Sequence, residues 1–277
     1  MKFGSVSAPD PFSLNPNTIF PITYNYDGKS LVDPRLVPGE STAVVIPFGD
    51  SLSTCSENAA YLPTSSRVHN LSLQNGGLYN VTTPLVGCTN NTNPTISGQW
   101  SIRLADKLIA AGIYARVIIE PIGVGGALTS DWASGGSLNH RLRVAYRRLQ
   151  YMGLSAADVI WLCCLGANDQ ALAVPSATVR SNLNSAVATI RGAGSADRIL
   201  IAKSSYAYGS DGGANGTAVL NGILNSISDN AANNVYVGPD YNSVTGAGNR
   251  YDGTHLTATG SDTIAGLWQS AIVAAHP

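Results

Sequence analysis

The sequence predicts an α/β fold: a five-stranded parallel sheet with helices on both faces, as a three-layer α/β/α sandwich. Five short apolar runs, rich in valine and isoleucine, alternate along the chain with longer segments of helical periodicity. Right-handed crossovers between parallel strands place such helices on both faces of the sheet. Several of the apolar runs end in glycine and small polar residues, at the edge where open α/β sheets bind ligands.

The first strand is predicted over residues 42–48, an apolar and β-branched run typical of a buried parallel strand. A first helix follows over 99–111, because Trp100, Leu104 and Leu108 recur at four-residue intervals and Gly112 ends the pattern. The same reasoning predicts strands over 116–120, 159–165, 198–202 and 234–237, and helices over 138–151, 177–190, 218–228 and 261–274.

Two segments stand outside this alternation. Residues 1–41 hold six of the 14 prolines and predict an extended leader, with one domain over 42–277. Residues 67–73 and 78–85 flank an Asn-Gly turn, which predicts a β-hairpin within a polar insertion.

The composition narrows the function classes. Net charge is −1 and 12% of the residues are charged, so there is no basic face for a nucleic-acid partner. No apolar run is long enough to span a membrane. The N-terminus has no apolar segment typical of a signal peptide, although few charges and many small polar residues favour a secreted or extracellular protein. Oligomeric state is not indicated.

The four cysteines carry no metal-binding spacing. Cys55 and Cys88 bracket the polar insertion and are candidates for a disulfide in an oxidising compartment. Cys163 and Cys164 are neighbours on an apolar strand, which favours two buried free thiols. No cysteine or histidine pattern indicates zinc, so we expect no metal.

The candidate active site is assembled from strand ends. Ser51 follows the first strand, a glycine run at 123–126 follows the second, and Asn168 follows the third. His255, with Asp252 three residues before it, follows the last strand. Parallel strands bring their carboxyl ends to one edge of a sheet, so we expect these residues to converge there.

The chemistry of these residue types is that of acyl transfer. A serine hydroxyl needs a base within hydrogen-bond reach, which His255 can supply while Asp252 orients the imidazole. The oxyanion of the attacked ester needs fixed donors, for which the Ser51 N–H, a glycine N–H of the second loop and the Asn168 amide are candidates.

Each feature also has an ordinary structural interpretation. Asp50 and Ser51 could cap a helix, Asn168 and the glycine run could form turns, and His255 could be a surface histidine. The glycine run does not fit the dinucleotide-binding pattern. Because the four features occur together, each at a strand end, we favour the catalytic interpretation.

Three short segments of the candidate site resemble motifs of the SGNH/GDSL hydrolase superfamily. Residues 49–53 read Gly-Asp-Ser-Leu-Ser, residues 166–169 read Gly-Ala-Asn-Asp, and residues 252–255 read Asp-Gly-Thr-His. The resemblance implies a flavodoxin-like fold with no cofactor, Ser51 as nucleophile, His255 as base and Asp252 as orienting acid. It also implies Gly126 and Asn168 as oxyanion donors beside Ser51. The glycine loop matches less well, so Gly125 remains an alternative to Gly126.

The loop after the second predicted strand indicates which substrate to expect. Its Gly-Gly run followed by Trp132 is similar to the carbohydrate acetylesterase branch of the superfamily, which includes sialate and acetylxylan esterases. We therefore expect a serine esterase acting on O-acetyl groups of a small or polymeric carbohydrate ester. Trp132, Asp50 and Gly125 are the candidate substrate contacts, although simple packing also explains Trp132. The alternatives are a short-chain carboxylesterase, thioesterase or lysophospholipase of the same superfamily, and a glycan-binding module without turnover.

Overall fold

A computed structural model describes residues 32–89 and 98–276. Most of the predicted leader lies outside the described residues, so the domain boundary near residue 41 stays a prediction. Its last part lies along the sheet: the Val32 N–H donates to Leu78 O at 2.8 Å. The Arg116 guanidinium donates to the carbonyls of Asp33 and Arg35 at 2.8 and 2.9 Å.

The described residues form one seven-stranded sheet. In chain order the strands are β1 (Thr42–Gly49), β2 (Val68–Leu71), β3 (Leu78–Asn80), β4 (Arg116–Ile119), β5 (Asp158–Cys164), β6 (Arg198–Lys203) and β7 (Val235–Asp240). Their spatial order is β3-β2-β4-β1-β5-β6-β7, and β3 alone runs antiparallel to its neighbour. This order puts β1 at the centre, between β4 and β5.

The predicted five-stranded parallel sheet is therefore wrong in its strand count. The hairpin forms as predicted, but its first strand continues the sheet by pairing parallel with β4. Polar residues in β2 hide this from sequence patterning. Asn70 is fully buried there because its side chain accepts from Val86 N and donates to the carbonyls of Val86 and Ile119.

Helices cover both faces of the sheet and give three layers. They are α1 (Trp100–Ala110), α2 (Thr129–Trp132), α3 (Asn139–Met152), α4 (Ala167–Ala171), α5 (Ser176–Gly192), α6 (Gly213–Asp229) and α7 (Ala258–Ala274). Apolar side chains of α3, α5 and α6 share one core cluster with Val44, Ile46 and Phe48 of β1. Those of α1 and α7 share the other cluster with Ala43 and Val45. Strand β1 thus contributes alternate residues to both cores. Of the helices described here, none has the length and apolar character needed to cross a bilayer.

Candidate active site

The nucleophile candidate lies in a rigid turn at the end of the central strand. Ser51 begins a 3-10 turn, Ser51–Ser53, whose N-cap is Asp50; the Asp50 Oδ1 accepts from Leu52 N at 2.9 Å. The Ser51 carbonyl accepts from Thr54 Oγ1 at 2.8 Å and from Ser56 Oγ at 2.6 Å. Ser51 is 7% exposed, so the fold fixes its position and leaves only a small part of it open to solvent.

Glycine is required where the chain leaves β1. Gly49 has φ +135°, and a Cβ there would lie 1.8 Å from the carbonyl oxygen of Cys164. The next residue, Asp50, donates its N–H to that same carbonyl at 2.9 Å. The turn that carries Ser51 is therefore bonded directly to the end of the neighbouring strand β5.

The three side chains predicted to act together lie together. His255 Nε2 is 2.9 Å from Ser51 Oγ, although the two residues are 204 positions apart. His255 Nδ1 is 2.6 Å from Asp252 Oδ2. The other oxygen, Asp252 Oδ1, accepts from the backbone N–H groups of Thr254 and His255 at 2.9 and 2.7 Å.

These bonds keep Asp252 ionised. Burial raises the pKa of a carboxyl group, but the hydrogen bonds from His255 and Thr254 outweigh it, so the pKa of Asp252 lies below its ordinary value. An ionised carboxylate accepts the Nδ1–H of the imidazole, which leaves Nε2 as the acceptor that faces Ser51 Oγ. The arrangement can remove a proton from the serine hydroxyl.

The two other strand-end loops lie on either side of this turn. Val124 N donates to Gly49 O at 3.0 Å, which holds the Gly125–Gly126 turn beside the end of β1. Asn168, at the start of α4 after β5, donates one amide hydrogen to Ala127 O at 3.1 Å. Its second amide hydrogen and the N–H groups of the glycine turn are donors that the described residues do not occupy. The loops after β4 and β5 thus flank the loop after β1 that carries Ser51, and both offer hydrogen-bond donors.

The structure corrects two of the three predicted substrate contacts. Trp132 is fully buried and packs edge-on against Phe48 at a centroid distance of 5.5 Å, so it belongs to the core. Asp50 is also fully buried and serves as the cap described above. Gly125 is partly exposed in the glycine loop, and its assignment to substrate binding stays a prediction.

The candidate disulfide between Cys55 and Cys88 is not formed in this structure. Cys55 and Cys88 are free thiols, and Cys88 Sγ accepts from Cys55 N at 2.9 Å. The two cysteines are thus neighbours, as the bracketing of the insertion predicts, but they are not bonded. Cys163 and Cys164 are buried free thiols.

Two residues that support the site were not singled out from the sequence. Tyr251 stacks on the His255 ring at 5.9 Å with 25° between the planes. Asp169 is fully buried and accepts from Thr129 Oγ1 at 2.6 Å and from Thr129 N, which ties the end of β5 to α2. Asp169 closes the Gly-Ala-Asn-Asp string and Tyr251 directly precedes Asp252, and those positions are the only signal the sequence offers for them.

A third supporting residue, Arg250, is 1% exposed and holds the loop that carries His255. Its guanidinium donates to Val244 O at 2.6 Å, to Tyr241 O at 2.7 Å and to Thr254 O. Beside the same loop, Tyr208 is 74% exposed, and its backbone N–H, not its side chain, donates to Thr254 Oγ1 at 2.8 Å.

Comparisons with known proteins give matches by structure only. No family model and no curated sequence matches this chain. Among solved structures, a protein of Arabidopsis thaliana has a TM-score of 0.59 at 12% identity, over 85% of this chain and 98% of that one. A carbohydrate esterase family 3 protein from Talaromyces cellulolyticus has a TM-score of 0.52 at 15% identity, over 84% and 97%. An acetyl esterase mutant with acetate ion has a TM-score of 0.51 at 14% identity, also over 84% and 97%.

At these identities the likeness establishes the fold alone. The structures that share it include a carbohydrate esterase and an acetyl esterase, so the α/β fold that the sequence resemblance implies is confirmed. The roles of individual residues rest on the geometry of this chain.

Proposed function

We propose that this protein is a metal-independent serine esterase that removes small acyl groups, above all O-acetyl groups from a carbohydrate. The observation that carries the proposal is the chain of short contacts from Ser51 Oγ through His255 to Asp252, at 2.9 and 2.6 Å. A hydroxyl, an imidazole and a carboxylate in this order are the parts that nucleophilic acyl transfer needs.

The reaction would begin at the serine. His255 Nε2 takes the proton of Ser51 Oγ as that oxygen attacks the ester carbonyl carbon, and the Asp252 carboxylate stabilises the imidazolium that forms. His255 then gives its proton to the departing alcohol oxygen. A water molecule, deprotonated by the same nitrogen, attacks the acyl-serine, and collapse of the second intermediate releases the acid and restores Ser51.

The donors around Ser51 would hold the negative oxygen of both tetrahedral intermediates. Those donors are the Ser51 N–H, the Gly126 N–H and the free amide hydrogen of Asn168, and each such donor contributes about 3–4 kcal/mol in known acyl-transfer sites. The bond from Asn168 to Ala127 O holds the amide in place before the substrate arrives, which avoids reorganisation during the reaction.

Two observations support an acetylated carbohydrate as the substrate. Solved structures with this fold include a carbohydrate esterase and an acetyl esterase, both with TM-scores above 0.5. Four partly exposed residues of the site are polar or lack a side chain: Gly125, Asn168, Asp252 and His255. Such a rim suits a hydrated substrate with a short acyl group.

The test is acetate release from p-nitrophenyl acetate, ethyl acetate, acetylated xylan and O-acetylated sialic acid. We expect turnover by the wild type and a loss of about 10⁴-fold or more in kcat for Ser51→Ala, because the nucleophile is gone. Ser270→Ala, a hydroxyl on α7 that only bonds Gly266 O at 3.0 Å, is the matched control. Unchanged turnover in Ser51→Ala, or no acetate from any ester, would refute the proposal.

An acyl-length series tests the alternative within the same chemistry. Each extra buried CH₂ of a substrate is worth roughly 0.8 kcal/mol, so an enzyme with an apolar acyl site gains activity steadily with chain length. We expect acetyl esters to be preferred over butyryl and octanoyl esters of the same alcohol. A preference for octanoyl esters would replace the acetylesterase by a lipid-directed esterase.

A further inference from the structure

An exposed aromatic residue sits on the turn next to the catalytic loop. Tyr208 follows strand β6 and is 74% exposed, the largest exposed fraction among the large apolar side chains of the described residues. Its backbone N–H donates to Thr254 Oγ1 at 2.8 Å, and Gly209 N donates to Gly253 O at 2.9 Å. Two hydrogen bonds therefore tie its backbone to the Asp252–His255 segment.

The turn that carries Tyr208 is fixed rather than loose. Ala207 and Ser210 exchange backbone hydrogen bonds at 2.9 and 3.0 Å across it, and Ala207 is buried. Tyr208 itself has φ +53°, a left-handed conformation that residues other than glycine and asparagine rarely adopt. Glycine is the residue that such a position favours, so the tyrosine here is held against its backbone preference by the bonds of the turn.

The position of this turn decides which part of an ester it can meet. The acyl oxygen must lie among the donors of the loops after β4, β1 and β5, around Ser51 and Asn168. The alcohol must lie beside His255, because that imidazole delivers the proton to the alcohol oxygen as it leaves. Tyr208 is bonded to the segment that carries His255 and follows β6, on the far side of β5 from β1. It therefore lies on the alcohol side of the site.

We propose that Tyr208 is a specificity-determining residue that packs its ring on the sugar bearing the scissile acetyl group. A phenol offers a flat apolar face with a polar tip, which suits a pyranose that has apolar C–H faces and polar edges. The role that the sequence gives to Trp132 would then belong to Tyr208, since Trp132 is buried in the core. This inference rests on the proposed esterase function and names the side chain that selects its alcohol.

The test compares one acyl group on two alcohols. Tyr208→Ala should raise KM for acetylated xylo-oligosaccharides by about fivefold or more, which is the scale of one aromatic contact. Its kcat/KM for ethyl acetate, whose alcohol has no ring, should stay within about twofold of the wild type. Tyr208→Phe should keep the oligosaccharide KM because the apolar face remains. Tyr151→Ala, which removes another exposed tyrosine at the end of α3, should change neither substrate.

The outcomes separate the two proposals. No hydrolysis of ethyl acetate by the wild type would overturn the esterase itself. Hydrolysis of both substrates by the wild type, with Tyr208→Ala unchanged in KM for the oligosaccharide, would overturn the role of Tyr208 alone. An equal loss of kcat/KM on both substrates in Tyr208→Ala would also overturn the role of Tyr208. It would mean that Tyr208 keeps His255 in position rather than binding the sugar.

Discussion

Asp50 shows how one residue of a motif can serve the fold while its neighbour is placed for chemistry. Its carboxyl group is fully buried directly before Ser51, and Oδ2 has no partner among the described residues. Burial raises its pKa to about 7, even though the bond from Leu52 N lowers it, and the nearby charge of Asp169 raises it further. The folded protein therefore holds a proton on Asp50 at pH values where an unfolded chain does not.

This raised pKa makes stability fall as pH rises. Between about pH 4 and pH 7 the folded state binds one more proton at Asp50 than the unfolded state, so deprotonation favours unfolding by up to about 4 kcal/mol. Asp50→Asn keeps the amide oxygen that caps Leu52 N but cannot ionise. We expect its stability relative to the wild type to increase from pH 4.5 to pH 8, measured by urea unfolding at each pH.

A second aspartate provides the control for that measurement. Hydrogen bonds from Arg180 and Asn184 lower the pKa of Asp229 to about 2, so it is ionised in both states throughout this pH range. Asp229→Asn should therefore change stability by nearly the same amount at pH 4.5 and pH 8. The small remaining difference arises because the unfolded aspartate is not fully ionised at pH 4.5. If the difference in stability between Asp50→Asn and the wild type were also the same at pH 4.5 and pH 8, it would contradict the raised pKa of Asp50.

At the scale of residues, sequence reasoning located the chemical groups but not their exposure. Ser51, Asp252 and His255 stand in short strings whose residue types have few other uses in combination. Trp132 and Asp50 stand in similar strings, yet both are buried. Which face of a loop meets solvent depends on what packs against it, and that information lies in distant parts of the chain.

At the scale of elements, the site depends on how closely the strand ends approach one another. Gly49 lies against the carbonyl of Cys164, and Gly166 lies against that of Ser204, so β1, β5 and β6 touch where their loops begin. Both glycines have positive φ, +135° and +128°. A side chain at either position would push apart the loops that carry Ser51 and Asn168.

A pair of glycine substitutions tests this contact. Gly112 also has a positive φ, +69°, but a Cβ there would meet nothing within 4 Å. Gly112→Ala should cost about 1–2 kcal/mol from backbone strain alone. We expect Gly49→Ala to cost at least about 2 kcal/mol more, because the added methyl group overlaps the Cys164 carbonyl. Urea unfolding of both variants gives the difference, and equal losses would show that the close approach is dispensable.

Strands and helices with a clear hydrophobic pattern were predictable from the sequence, whereas those held in place by tertiary contacts were not. The strand over 42–48 and the helix over 99–111 appear within a residue or two as β1 and α1. Strand β2 was predicted as part of the hairpin, but its parallel pairing with β4 was not, because its polar residues are buried by side-chain hydrogen bonds rather than exposed on one face. Helices α2 and α4 have four and five residues, too few to show a period, and hydrogen bonds such as Thr129 to Asp169 hold α2 in place.

At the scale of the whole molecule, the site joins the centre of the sheet to its edge. Ser51 follows central strand β1, whereas His255 belongs to the connection from edge strand β7 to α7. This connection turns back toward the centre: Tyr241, at its start, is fully buried and bonds Cys164 Sγ at 3.3 Å at the end of β5. Helix α7 then packs beside α1 through the stacked rings of Trp268 and Trp100. The motif strings predict that these parts meet, but not the path by which they do so.

Arg250 holds that connection in its folded path. Its buried guanidinium joins Tyr241 and Val244, at the start of the connection, to Thr254, next to His255. A lysine there has one nitrogen that cannot reach three carbonyls in a plane, so at least one buried acceptor loses its donor at a cost of about 1–3 kcal/mol. Because these bonds lie within the connection and not in the sheet, the loss weakens the loop before it weakens the strands.

This predicts that Arg250→Lys separates loss of activity from loss of the fold. All four tryptophans are buried in the two cores, so their fluorescence reports on the sheet and its helices. In the wild type we expect the urea dependences of fluorescence and of acetate release from ethyl acetate to coincide. In Arg250→Lys, activity should disappear at a clearly lower urea concentration than the fluorescence transition, because the segment bearing His255 detaches first. Coincident curves in the variant would mean that the connection and the sheet unfold as one unit, with Arg250 adding only to overall stability.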